Sequence, residues 1–138
     1  MNNSALASEY LLRATRTLKE STDAFNDGDL YYTVVRCKET LENLASTLLS
    51  LYGILTASGS PVDVLGYLIE TREIDQTIKA VISEIQETWR EIIPVTFMNE
   101  SPTKAPSVTA RQAEVKPLLE KVTSLFDKTR EIFDGFHN

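Results

Sequence analysis

The chain has 138 residues, of which 42% are hydrophobic and 25% charged, and its formal net charge is −6 at neutral pH. This length predicts a single domain, residues 1–138, that is large enough to bury a core. The negative charge argues against nonspecific nucleic-acid binding, which relies on basic side chains to displace counterions from phosphates. The single cysteine excludes an internal disulfide and is typical of a reducing cytoplasm.

Nothing in the sequence indicates export or a membrane. The N-terminus, MNNSALASEY, lacks both the basic region and the apolar core of a signal peptide. No apolar run is long enough to span a bilayer. We therefore expect a cytoplasmic protein that does not contact a membrane.

The first element is an amphipathic helix from about Ser4 to Phe25. Its apolar positions recur every three or four residues, as on one face of a helix. They are Leu6, Ala7, Leu11, Ala14, Leu18 and Phe25. The sequence Asn-Asp-Gly-Asp at 26–29 then favours a turn, and Asp29 can cap the helix that follows.

The second predicted helix carries the most extensive apolar surface of the chain, and Gly53 is placed just past its end. Its main stripe alternates steps of three and four residues: Val34, Cys37, Leu41, Leu44, Leu48 and Leu51. A neighbouring stripe widens it: Tyr31, Val35, Ala45, Leu49 and Tyr52. One partner helix cannot cover so wide a surface, so this helix should lie centrally or contact a second subunit.

Two further helices follow a loop at residues 54–59. Ser60, Pro61 and Asp63 form a helix start, with a serine cap, a proline in the first turn and an acid at the third position. That short helix should run to about Glu70. The next helix has an apolar face that Pro94 should terminate. This face comprises Ile74, Ile78, Val81, Ile85, Trp89 and Ile92.

The last part of the chain is predicted to be a polar, proline-containing loop at 95–109 and a final helix. Thr109 and Gln112 could form a capping box, and Pro117 should either kink this helix or mark its true start. Its apolar face comprises Leu118, Val122, Leu125, Phe126, Ile132, Phe133 and Phe136. The predicted fold is all-α, an up-and-down bundle of four long helices plus one short helix.

Few side chains suggest chemistry. The chain has no glycine-rich phosphate loop, and one cysteine with one histidine cannot supply a zinc site, so we expect neither a metal nor a cofactor. Arg36 and Tyr32, one turn apart on the second helix, are candidate ligand contacts. The simpler interpretation is that the Arg36 stem packs on aromatic side chains while its head pairs with Glu39 or meets water. Cys37 falls on the apolar stripe and is expected in the core.

The second helix and its flanks resemble the HEPN domain. The resemblance lies in Gly28-Asp29 followed by two tyrosines, in an apolar helix containing Glu42, and in the ending Leu-Leu-Ser-Leu-Tyr-Gly-Ile at 48–54. The next element, Pro-Val-Asp-Val at 61–64, is similar to the start of that family's following short helix. Helix order and the polar loop before the last helix agree as well, so the resemblance covers most of the chain.

Membership of this family would imply a compact helical bundle, commonly a homodimer. Such domains occur beside minimal nucleotidyltransferases and in toxin–antitoxin systems. Active members are metal-independent ribonucleases in which an arginine and a histidine, separated by four to six residues, meet the scissile phosphate across the dimer. A cation and a general acid or base are the groups that such a cleavage requires.

This sequence departs from that catalytic motif. Val62 stands where the family often has a histidine, and Arg36 has no histidine within reach downstream. The one match in spacing is Arg130 with His137, but Glu131 follows the arginine, and His137 is close to the C-terminus, where a base is poorly held.

Three hypotheses remain from the sequence. The leading one is a non-catalytic, dimeric HEPN-like module that binds a protein, such as a minimal nucleotidyltransferase, or a nucleotide. The second is a ribonuclease that uses Arg130 and His137. The third is a structural adaptor bundle unrelated to HEPN domains. For a dimer, the second and last helices are the expected contact surface.

Overall fold

The computed structural model describes residues 3–55, 59–96 and 112–137, and this part of the chain is all-helical, as predicted. It contains no strand. The five helices are α1 (Ser4–Asn26), α2 (Leu30–Leu51), α3 (Pro61–Thr71), α4 (Gln76–Thr96) and α5 (Gln112–Gly135).

The ends of α2 form as the sequence indicates. The Asp29 side chain accepts a hydrogen bond from the Tyr32 amide at 3.1 Å and so caps the helix. Gly28 and Gly53, at φ of 81° and 76°, adopt the left-handed conformation that glycine allows at a turn or just past a helix end.

The start of α3 is also confirmed. Ser60 caps it by accepting a hydrogen bond from the Val62 amide at 3.2 Å, Pro61 is its first residue, and Asp63 lies in its first turn. The helix ends at Thr71, one residue beyond the expected end. The Asp75 side chain accepts a hydrogen bond from the Thr77 amide at 2.9 Å, at the start of α4.

One prediction about a proline was wrong, and one of the two alternatives for a second proline is excluded. Pro94 does not end α4, which continues to Thr96, because a proline so close to a helix end removes only its own N–H bond. Val95 and Thr96 therefore belong to α4 and not to the predicted loop. Pro117 does not start α5, which begins five residues earlier. The rest of the predicted loop and the Thr109 end of the capping box lie outside the described residues.

Helix α2 occupies the centre of the fold and packs against each of the other four described helices. Its main apolar stripe is 0–1% exposed: Val34, Cys37, Leu41, Leu44, Leu48 and Leu51. Of the two alternatives for this stripe, the central position is therefore the correct one. Since these side chains are enclosed within a single chain, they form the core and offer no surface to a second subunit.

Polar contacts define the helix directions. The amide of Asn3, before α1, donates to the carbonyl of Ser50 near the end of α2 at 2.8 Å, so α1 and α2 are antiparallel. Lys128 reaches Glu84 at 3.2 Å and Lys121 reaches Glu91 at 3.0 Å, so α4 and α5 are antiparallel too.

The interface between α1 and α2 contains hydroxyl groups that the apolar pattern does not include. The Thr17 and Thr40 hydroxyls are 2.8 Å apart and buried. The Ser21 hydroxyl donates to the Thr33 carbonyl at 2.9 Å and lies 3.1 Å from Cys37 Sγ. Small side chains at this interface bring the two helices together, and the hydroxyls are satisfied within it.

Candidate functional site

The two candidate ligand contacts lie together on the exposed edge of α2. The Tyr32 side chain is 48% exposed, and the guanidinium carbon of Arg36 lies 5.2 Å from its ring centroid. Arg36 donates to both carboxylate oxygens of Glu39 at 2.9 Å. The Glu39 pair of the simpler interpretation is therefore observed, and the contact with the tyrosine ring is made by the guanidinium head.

The electrostatic surroundings of Arg36 are acidic. Desolvation by partial burial lowers the pKa of Arg36, but the hydrogen bond and the charge of Glu39, with a smaller contribution from Glu20 on α1, raise it above its ordinary value. A phosphate bound here would have to displace Glu39 and approach Glu20. The pair Tyr32–Arg36 thus forms an aromatic and polar edge rather than a prepared anion site.

The two residues of the ribonuclease hypothesis make separate local contacts within one chain. Arg130 lies over the Phe126 ring, 5.8 Å from its centroid, and 3.8 Å from Asp127, so its head is directed towards the start of α5. His137 lies beyond the C-terminal end of α5, two helical turns from Arg130, or about 10 Å along the axis.

His137 is engaged locally. Its Nδ1 lies 2.7 Å from the Phe133 carbonyl oxygen, and its ring packs on Phe133 with the centroids 4.3 Å apart. The structure therefore does not bring the two ribonuclease candidates together inside one copy of the chain.

Cys37 is not suited to act as a nucleophile. Its side chain is fully buried. Burial raises the pKa of the Cys37 thiol to about 11, and the hydrogen bond with Ser21 only partly opposes this. At neutral pH the thiol stays protonated and acts as a core side chain, as the sequence indicated.

Two surface grooves were not predicted. One, of about 410 Å³, lies between α4 and α5, with Val81 and Ile132 in its lining and the Glu84–Lys128 ion pair across it. The other, of about 280 Å³, lies between α1 and α5 and is called the α1–α5 groove below. Its lining comprises Ser8, Leu11, Leu12, Thr15, Phe126 and Arg130.

The sequence contained one signal for the α1–α5 groove. Leu12 is apolar but lies outside the buried stripe of α1, and the structure leaves it 65% exposed. An exposed apolar residue contributes to a contact surface when further apolar groups lie beside it, as Leu11 and Phe126 do here.

The described residues contain no group of three or more acidic, histidine or cysteine side chains arranged to hold a metal ion. None of the described helices is long and apolar enough to cross a bilayer.

Comparison with protein-family models, with curated proteins and with solved structures gave no match for this chain. The class that the structure defines is a helical protein with a central α2.

Proposed function

We propose that this protein is a non-catalytic, HEPN-like interaction module that works as a homodimer in the cytoplasm. The proposal takes the fold as the up-and-down arrangement of four long helices and one short helix that the sequence predicts, which is compatible with the resemblance. A minimal nucleotidyltransferase, as in toxin–antitoxin systems, is the protein partner that the resemblance suggests.

One observation carries the non-catalytic part of this proposal. The only arginine and histidine with the ribonuclease spacing are occupied separately, Arg130 by Phe126 and Asp127, and His137 by the Phe133 carbonyl. A catalytic pair needs both groups directed at one phosphate. In addition, the half-buried Arg36 is paired with Glu39.

The catalytic question is tested by incubating the purified protein with single-stranded RNA without added metal. We expect no cleavage above that of a preparation of the Arg130→Ala, His137→Ala double variant. Cleavage that the wild type shows and either single variant loses would establish the ribonuclease hypothesis and contradict ours.

The binding partner is tested separately. Co-expression with a minimal nucleotidyltransferase should give a complex that survives size-exclusion chromatography, and Tyr32→Ala should weaken it if the exposed edge of α2 takes part. Nucleotide binding is tested by thermal shift, since a ligand of the folded state raises the melting temperature. No complex and no shift with any nucleoside triphosphate would favour the structural adaptor.

A further inference from the structure

A projecting leucine and an apolar hollow lie side by side on the surface that α1 and α5 form. Leu12 projects from α1 with 65% of its side chain exposed. Leu12 forms one edge of the α1–α5 groove, whose lining is otherwise Leu11 and Phe126, the small side chains of Ser8 and Thr15, and Arg130. A surface with both a projection and a hollow of the same chemistry can be complementary to a copy of itself.

The row of residues through Leu12 allows a second helix to approach closely. Ala5, Ser8 and Thr15 share this face at steps of three and four residues, and all three are exposed or half-buried. The distance between packed helices falls when the side chains at the contact are small. Because its neighbours are small, Leu12 can enter the groove of a second copy while the backbones of the two α1 helices remain close to each other.

The charges on either side of Leu12 suit a two-fold symmetric contact between two copies. Glu9 lies three residues before Leu12, and Arg16 lies four residues after it. When two α1 helices cross antiparallel with a two-fold axis beside Leu12, Glu9 of one copy faces Arg16 of the other, and the pair occurs twice. Arg16 forms no ion pair within the described part of the chain.

Glu9 is available for such a pair. It bonds Arg13 at 2.8 Å, but both side chains are about half exposed and the pair joins neighbouring turns of one helix. Such pairs contribute little, so Glu9 can turn to a second copy at small cost. Two cross-pairs would also offset locally the repulsion between copies that each carry a net charge of −6.

We propose that this face of α1, with the α1–α5 groove, is the interface between two copies of the chain. Leu12 of each copy enters the groove of the other, and the two α1 helices are antiparallel. The inference rests on the dimer in the proposed function and deepens it by naming the surface. It replaces the stripe of α2, which is enclosed in the core, as the contact surface.

The first test measures the dimer dissociation constant by sedimentation equilibrium for the wild type, Leu12→Glu and Leu55→Glu. Leu55 is the matched control, because it is 68% exposed and lies outside this face. We expect Leu12→Glu to weaken the dimer by at least about 100-fold, since a symmetric interface loses two apolar anchors and gains two buried charges. Leu55→Glu should leave the constant unchanged, and circular dichroism should show all three proteins equally helical.

The second test reverses the charges. Glu9→Arg alone and Arg16→Glu alone should each weaken the dimer, by roughly 3- to 10-fold. The double variant recreates both cross-pairs with opposite sign and should recover most of the wild-type affinity. A double variant that is as weak as the single variants overturns the antiparallel arrangement.

The outcomes separate this inference from the function that it rests on. A wild-type dimer that Leu12→Glu does not dissociate overturns the interface but leaves the proposed dimeric module intact. A wild type that stays monomeric throughout the micromolar range overturns both, and the α1–α5 groove is then a surface for another protein or for none.

Discussion

At the scale of single residues, four buried serine and threonine side chains lie in the interface between α1 and α2. Thr17, Ser21, Thr33 and Thr40 are all buried, and each has a hydrogen-bond partner. The sequence could not predict this interface, because an apolar pattern does not show which hydroxyls find partners across two helices. The same pattern did predict Cys37 in the core.

Thr129 is the exception among the buried hydroxyls of the described residues. Its side chain is fully buried on α5, and its Oγ1 has no hydrogen-bond partner. A buried hydroxyl without a partner costs about 1–3 kcal/mol, so Thr129→Val, which keeps the shape, should raise the free energy of unfolding by about 1 kcal/mol. Urea unfolding measures this change.

Thr88→Val is the matched control for Thr129. Thr88 is also buried, on α4, but its hydroxyl donates to the Glu84 carbonyl at 2.8 Å. The same substitution there should be neutral or destabilising. Equal effects at the two positions would show that Thr129 does have a partner in solution.

Cys37 gives a prediction of pH dependence. The pKa of its thiol is raised from 9.0 to about 11 in the folded protein, so the unfolded chain releases this proton first as the pH rises. The contribution of the protonated thiol to the free energy of unfolding is fully present below pH 9.0 and is lost as the pH rises through about 11. The loss should be on the order of 3 kcal/mol.

Cys37→Ser provides the comparison, because it keeps a small hydrogen-bonding group but removes the ionisable thiol. The difference in unfolding free energy between wild type and variant, measured by urea at each pH, should shift in favour of the variant above pH 9.0. Other titrating groups such as Tyr52 are present in both proteins, so their contributions to the pH dependence cancel in this difference. A difference that does not vary with pH would contradict the buried thiol.

At the scale of elements, helix starts were predictable and helix ends next to prolines were not. Asp29 and Ser60 cap through local hydrogen bonds to amides two or three residues ahead, so the sequence alone contains the information. Pro94 removes only its own N–H bond and α4 continues to Thr96, so a proline in the sequence does not by itself mark a helix end.

The contribution of the Asp29 cap to stability can be measured, because α2 packs against every other described helix. Asp29→Ala removes the acceptor for the Tyr32 amide and should lower the free energy of unfolding by about 1 kcal/mol. Asp27→Ala is the control: this acid is exposed in the same turn, and its side chain makes no hydrogen bond to any described residue. Thermal unfolding of both variants checks the prediction, which a similar loss for Asp27→Ala would contradict.

At the scale of the whole molecule, the fold followed from the sequence more completely than the candidate site did. The spacing of Arg130 and His137 is visible in the sequence, but the direction of the arginine depends on Phe126 and Asp127. The α1–α5 groove depends on how two helices distant in sequence pack, and only the isolated Leu12 indicated it. Hydrophobic periodicity records which residues are buried, whereas a surface site depends on which helices are neighbours.

The central position of α2 also determines how the molecule should unfold. Since α2 packs against each of the other four described helices, a defect in its core loosens contacts throughout the bundle at once. Leu44 is fully buried on α2, so Leu44→Ala should lower the free energy of unfolding by about 2–5 kcal/mol in one cooperative transition.

Leu12→Ala, on the exposed face of α1, is the control, and at concentrations where the chain is monomeric it should change stability by less than about 0.5 kcal/mol. Urea unfolding followed by circular dichroism and by Trp89 fluorescence should give coincident curves for both variants. Separate transitions for the two signals in Leu44→Ala would show that the helices around α2 do not depend on it as one unit.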